Sequence, residues 1–411
     1  MSCGVLKQIQ HDGGGGGLYI AEINHCIYRI NAEINHYIYR INAEIMYIHQ
    51  LKDWPNFTWD NEKILPILGN VRHHQGKLLG QMNALGFKVK ETAFLDTLTL
   101  DVTKSSEIEG EHLNTDQVRS SIARRLGIDM AGAVPADRDV EGVVEMMLDA
   151  TQKYEDGLTG DRLFGWHAAL FPTGRSGMHK ITVRNWRTPA AGPMRVVSGA
   201  MGKEKVHFEA PEATKLPGDM RAFLNWFNHN KHNDPVIKAA IAHLWFVTIH
   251  PFDDGNGRIT RALTDMLLAR ADQSPQRFYS MSAQILREKN AYYHLLENTQ
   301  KGNLDTTKWI CWFLDCILHA MDHTEKTLTG IFDRNRFWEH HSETTLNSRQ
   351  RQMVDKLLAS FFGSLTSSKW GKMTKSSPDT ALRDIQDLIH KGILIKEQGG
   401  GRSTNYTLVV P

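Results

Sequence analysis

The stretch HPFDDGNGRITR, from His250 to Arg261, separates two helical runs and so dictates how the chain around it can fold. Upstream, DPVIKAAIAHLWFVTIH opens with an aspartate suited to a helix cap and a proline suited to the first turn. A residue before proline is disfavoured in the helical region by clash with the ring, so this helix ends near His250. Downstream, RITRALTDMLLARA is helical again. The link between them is a loop whose Gly255 and Gly257 permit positive φ and close approach of the backbone to a ligand.

That geometry carries a chemistry. Backbone N–H groups at the start of a helix favour negative charge. Arg258 and Arg261 sit three apart, on neighbouring positions of the first turn. Together they describe an anion hole reinforced by two guanidinium groups, suited to a polyphosphate. Asp254 suits a divalent cation bridging phosphates, since Mg²⁺ takes one or two carboxylates plus phosphate oxygens. His250 suits the base that accepts a proton from an incoming hydroxyl. The implied reaction is in-line attack at phosphorus, with charge neutralised by metal, arginines and helix terminus. A lone GxG or a lone histidine reads as structural; the whole string does not.

The rest of the chain gives the setting. Its 411 residues allow two or three domains. A net charge of +2 gives no global reason for a polyanion or membrane partner. Cys3, Cys26, Cys311 and Cys316 form neither a disulfide framework nor a zinc spacing, which points to a reducing compartment. No apolar run reaches the ~18 residues of a membrane span, so the expectation is a soluble, cytoplasmic protein. Residues 1–45 are repetitive: AEINHCIYRIN recurs as AEINHYIYRIN, with isoleucines at helical spacing. They are read as a translated leader before a working start at Met46, or as a disordered or helical segment.

Residues 46–130 form an N-terminal helical domain, with apolar steps of three and four from about Lys63 to Gly127. Residues 131–336 form the core that carries the loop, and within it MRVVSGAMGKEKVHFEAP predicts a β-hairpin. A linker is expected at 337–345. Residues 346–411 hold ten basic against five acidic residues, and read as helix, strand, glycine turn, strand: a winged helix-turn-helix.

HPFDDGNGRITR resembles the signature of the Fic family, HPFx(D/E)GNGRxxR, at every fixed position. IHQLKDWPNFTWD, RNWRTPAAGPMRVVSGAMGKEKVHFEAP and NTQKGNLDTTKWICWFL resemble other blocks of such proteins. The resemblance implies a mainly α Fic/Fido core with a β-hairpin flap, plus a C-terminal winged helix. It implies transfer of AMP from ATP to a Ser, Thr or Tyr hydroxyl of a target protein or of the chain itself, with loss of pyrophosphate. On that resemblance His250 is the base and Asp254 holds Mg²⁺. Gly255, Asn256 and Gly257 make the anion hole, while Arg258 and Arg261 contact phosphates. Val196, Val197 and Ser198 align the target by strand pairing.

SSEIEG matches the family's inhibitory pattern [S/T]xxxE[G/N] at Ser105, Glu109 and Gly110. By resemblance Glu109 pairs with Arg261 and displaces the γ-phosphate. Two other readings stay open: removal of AMP from a modified protein by the same site, and a nucleotide-sensing transcription regulator. The tail resembles bacterial winged-helix repressors, with Thr380, Arg383, Arg402, Ser403 and Asn405 facing DNA. Such domains also mediate protein contacts, and relatives often form homodimers.

Overall fold

A computed structural model describes residues 46–84, 86–130, 132–199, 203–230, 233–360, 364–397 and 404–409. The repetitive leader, Arg402 and Ser403 lie outside them. The described chain is mainly helical, and each strand pair is a short hairpin. No helix among the described residues is long and apolar enough to cross a membrane.

Two helices enclose the loop. Helix α7 (Pro235–Ile249) is capped by Asp234, whose carboxylate accepts the Val236 N–H at 2.8 Å. It is buried from Val236 to Ile249 because it is apolar all round, which is the pattern of a central helix. Helix α8 (Asn256–Asp272) packs along it. Around this pair lie α1 (Asn61–Ala84), α2 (Phe87–Ile108), α3 (Thr115–Leu126), α4 (Arg138–Gln152), α5 (Gly160–Leu170) and α6 (Leu216–His229). They are joined by α9 (Met281–Arg287), α10 (Lys289–Gln300) and the long α11 (Thr307–His340). Most of these share one apolar core.

A buried ion triad ties α2 to α8. Arg277, in the turn after α8, donates to Asp101 on α2 at 2.9 Å and to Asp265 on α8 at 2.5 Å. All three side chains are 6% exposed or less. Burial drives both carboxyls upward, and the guanidinium between them opposes it. Removing the cation would strand two buried carboxylates, a change that costs about 3–5 kcal/mol. Arg277→Met is therefore expected to lower unfolding free energy by about that amount in urea titration, with α2 loosened from α8.

The expected flap hairpin forms: β3 (Arg195–Ser198) pairs antiparallel with β4 (Lys205–Glu209). Val196 faces Phe208 but Val197 faces Val206, so His207 is left over as a bulge. An unanticipated hairpin, β1 (Arg175–Ser176) with β2 (His179–Lys180), lies under the loop.

The expected linker at 337–345 is in part helix. α11 runs to His340, and Phe337 is fully buried in a second, smaller core with Met353, Trp370 and Ile385. That core gathers α12 (Ser348–Ser360), α13 (Ser367–Thr374), α14 (Pro378–His390) and the antiparallel pair β5 (Leu394–Lys396) and β6 (Tyr406–Leu408). Ser377 caps α14, as its position before proline predicts.

Candidate active site

His250 ends α7 in the left-handed region, at φ 52°. Its Nδ1 lies 3.2 Å from the Val247 carbonyl. With Nδ1–H donating there, Nε2 keeps its lone pair. Burial pushes the imidazole down to about 4, against the Val247 hydrogen bond, so His250 is neutral at ordinary pH. Buried Arg187 holds the loop from below: its Nε donates to the His250 carbonyl at 2.8 Å and its Nη2 to the Pro211 carbonyl at the end of the flap.

Gly255 takes φ 80°, and a Cβ there would stand 2.8 Å from the Phe171 ring. The Asn256 side chain folds back to accept the Phe252 N–H and donate to the Phe252 carbonyl, bracing the turn. One expectation about the loop needs correction: Gly257 does not adopt positive φ, because it is already inside α8. Its lack of a side chain serves proximity: a Cβ there would be 2.0 Å from Glu109 Oε1.

Glu109 closes α2, and Gly110 turns the chain away at φ 86°. The glutamate lies at the N-terminus of α8, where the helix favours an anion. Arg261 donates to Glu109 Oε1 at 2.8 Å, to Ser105 Oγ at 2.8 Å and to the Ser105 carbonyl at 2.8 Å. Ser105 thus grips the same guanidinium from the preceding turn of α2.

Arg258 is held by a carboxylate too. It donates to Glu111 Oε2 at 2.5 Å and lies over the Phe171 ring, with its own side chain only 4% exposed. The two arginines face different cavities. Arg258 lines one of about 490 Å³ with Glu111, Asp139, Arg175 and Ser176. Arg261 lines one of about 590 Å³ with His250, Gly257 and Glu109. Asp254 accepts from the Gly255 N–H and from the Ser176 hydroxyl. Burial pushes the Glu111 carboxyl upward; Arg258 opposes this, while the charges of Asp254 and Glu109 add to it.

The larger cavity is walled on its other side by the flap residues Val196, Val197 and Ser198, and by Tyr292 and Tyr293 of α10. Glu111, Arg187, Ser176, Tyr293, His207 and Glu297 escaped the reading of the sequence. Only RNWRTP and the Glu111 side of SSEIEGEH offered any hint.

Residues 157–268 match the family model Fic/DOC. Those residues carry a Fic/DOC domain. Residues 47–128, which contain Glu109, match a domain of unknown function, DUF4172. A Drosophila mojavensis protein, protein adenylyltransferase Fic, is 37% identical over 54% of this chain and 38% of its own length. Its Drosophila yakuba counterpart is 38% identical over 27% of this chain and 21% of its own. The chain thus spans well under half of these curated relatives. A solved Fic family protein from Desulfovibrio desulfuricans shares 18% identity and a TM-score of 0.48, covering 84% of this chain and 96% of that one.

In the tail, Arg383 is exposed, Thr380 is half-buried with its hydroxyl bonded to Ser377, and Asn405 is half-buried. On the same helix Asp384 is buried, and both it and the partly exposed Asp387 are taken up by partners within the domain. Asp384 pairs with Arg349 and Asn347, and Asp387 accepts from Gln350 and Lys391.

Burial depresses three histidines around the loop: His167 to about 4, His243 to about 3 and His250 to about 4. Unfolded, such imidazoles take up protons near pH 6.5. Between those values the unfolded chain binds more protons than the folded one, so stability is full above about 6.5 and declines as pH falls toward about 4. Each histidine contributes up to about 1.4 kcal/mol per pH unit across its window. Thermal unfolding midpoints at successive pH values are expected to drop through that range, and less steeply in His243→Asn.

Proposed function

We propose that this chain is a protein adenylyltransferase, moving AMP from ATP to a Ser, Thr or Tyr hydroxyl of a protein. The observation that carries the reading is a neutral imidazole sharing a cavity wall with an anion-binding helix N-terminus and Arg261. The names of the Drosophila relatives support it.

In this reading the acceptor hydroxyl gives its proton to His250 Nε2 as its oxygen attacks the α-phosphorus, and pyrophosphate departs with the bonding electrons. The α8 N-terminus and Arg261 receive phosphate charge. Val196 and Val197, exposed on the flap, offer an edge for an extended target segment. Tyr293 offers an aromatic face to a base. Asp254 fits Mg²⁺: it is a half-buried hard donor beside Glu111, where acidic groups crowd together. Bound there with nucleotide phosphates, the ion would neutralise charge that develops on them.

Glu109 holds the site in check, since its carboxylate takes both the helix terminus and Arg261. The same placement beside His250 favours a second reading, in which Glu109 orients water to release AMP from a modified protein. The test uses α-labelled ATP with magnesium on Glu109→Gly, with and without His250→Ala. Label on protein that requires His250 supports transfer; nucleotide bound but never transferred favours a nucleotide-sensing regulator. For the tail, the proposal is a winged helix presenting Arg383 to a DNA groove, and salt-sensitive retardation of the native promoter would support it.

A further inference from the structure

A third cavity, of about 350 Å³, shares no lining residue with the two beside the loop. Its walls are Pro55, Phe57, Trp59, Trp226 and Trp245. The first three come from the stretch WPNFTW ahead of α1, while Trp226 is on α6 and Trp245 on α7. Backbone bonds hold that stretch in place. The Thr58 N–H donates to the Leu304 carbonyl and the Thr58 carbonyl accepts the Thr306 N–H, both at 2.8 Å. The Asp60 N–H donates to Thr307 Oγ1 at 2.9 Å, at the start of α11. Trp59 is fixed by its own indole N–H, which donates to Asn61 Oδ1 at 2.9 Å. Trp54, Phe57 and Trp226 all meet the Trp245 ring, at centroid distances of 6.2, 5.9 and 5.2 Å. The result is a fixed set of aromatic faces, of which Phe57, Trp59 and Trp226 are only half-buried.

The chemistry of the walls selects the guest. Trp245 is 4% exposed, and among the described residues its indole N–H has no hydrogen-bond partner. A buried donor left unpaired is costly, so the cavity wants an acceptor. The amides of Asn56 and Asn233, which also line it, can donate as well. No carboxylate is among the described lining residues, and the Lys238 ammonium already lies over the Trp226 ring, 5.5 Å from its centroid. A cationic guest would meet that charge and find no counter-ion. A proline-rich segment matches on each count. Its extended backbone leaves carbonyls unbonded, its proline nitrogens carry no hydrogen to satisfy, and its rings suit aromatic-lined grooves. We propose that this cavity docks a proline-rich segment of a partner protein in the polyproline II conformation. Its volume is at the small end of ligand pockets, which suits a short stretch of such a chain. Trp245 lies on α7 five residues before His250, so a partner held here is tethered to the helix that ends at the phosphate loop. The inference stands apart from the transferase reading, since docking needs no ATP.

The experiment titrates the full chain into a fluorescein-labelled decaproline peptide and follows fluorescence anisotropy. Binding is expected to saturate, and to be competed by unlabelled decaproline but not by a Gly-Ser peptide of the same length. Trp59→Ala removes one aromatic face and is expected to weaken binding about 10-fold. Asn56→Ala removes one amide donor and is expected to weaken it about 5-fold. Asn56 is exposed, so this second variant decides the matter if Trp59→Ala does not fold, which thermal unfolding of each variant shows. Weaker binding in either folded variant supports the inference. Decaproline that fails to bind overturns it, and choline binding in its place would assign the cavity to a cation instead. Decaproline binding that is unchanged in the folded variants overturns the assignment to this cavity.

Discussion

Glu109→Gly is expected to tighten ATP binding by roughly 10- to 100-fold and to raise AMP transfer. Under the proposed function the glutamate occupies the spot a phosphate would take, at the N-terminus of α8, with Oε1 only 2.0 Å from where a Gly257 side chain would begin. Arg261 is 2% exposed and spends its donors on Glu109 and Ser105. Freed from the carboxylate, it can make a charge-assisted bond to phosphate worth about 1.5–3 kcal/mol, which is the stated range of affinity. Repulsion between the carboxylate and an incoming polyphosphate disappears at the same time. Isothermal titration with ATP and magnesium, beside a labelling assay, measures both. Equal affinity in the two forms would remove Glu109 as a regulator. Glu111 holds Arg258 in the same way, so Glu111→Gln on the Glu109→Gly background is expected to add a smaller gain, limited by the 49% exposure of its side chain.

His250→Ala on the Glu109→Gly background is expected to lower transfer by about 100- to 10,000-fold, with ATP affinity nearly unchanged. In the proposed mechanism the imidazole serves the hydroxyl, not the nucleotide. Its Nδ1 is engaged by Val247, its carbonyl by Arg187, and it is kept neutral by burial. Transfer should therefore be insensitive to pH near neutrality and fall only as pH drops toward about 4, where the base becomes protonated. A profile that falls already at pH 6.5 would mean an exposed, ordinary histidine and would contradict this account. Loss of ATP binding along with transfer would place His250 on the phosphates instead.

Much of this was legible in the residues themselves. Proline after His250 dictated where α7 stops, Asp234 and Ser377 marked two helix starts, and the valines around a glycine turn marked the flap. Gly255 was readable as a positive-φ position because a turn must separate the two helices. The pairing of Glu109 with Arg261 came through family resemblance, not through spacing. Where local reasoning failed, it failed for a common cause. Gly257 looked like a turn glycine but is a helical residue kept small by a carboxylate 148 positions away, a distance no periodicity encodes. Nor did spacing show that the Asn256 amide is taken up by the buried Phe252 backbone, which needs its hydrogen bonds.

The sequence by itself determined the local devices: a helix stopped at a histidine, a glycine loop, a second helix starting beneath it, and two arginines one turn apart. Which partner each device meets was decided only by the tertiary structure. The Arg277 triad sets α2 against α8, and that packing delivers Glu109 to Arg261 and Glu111 to Arg258. The bulge at His207 delivers that ring to Ser198 and Glu297. Charge and hydrogen bonding act over a few ångströms, and only packing decides which groups come that close.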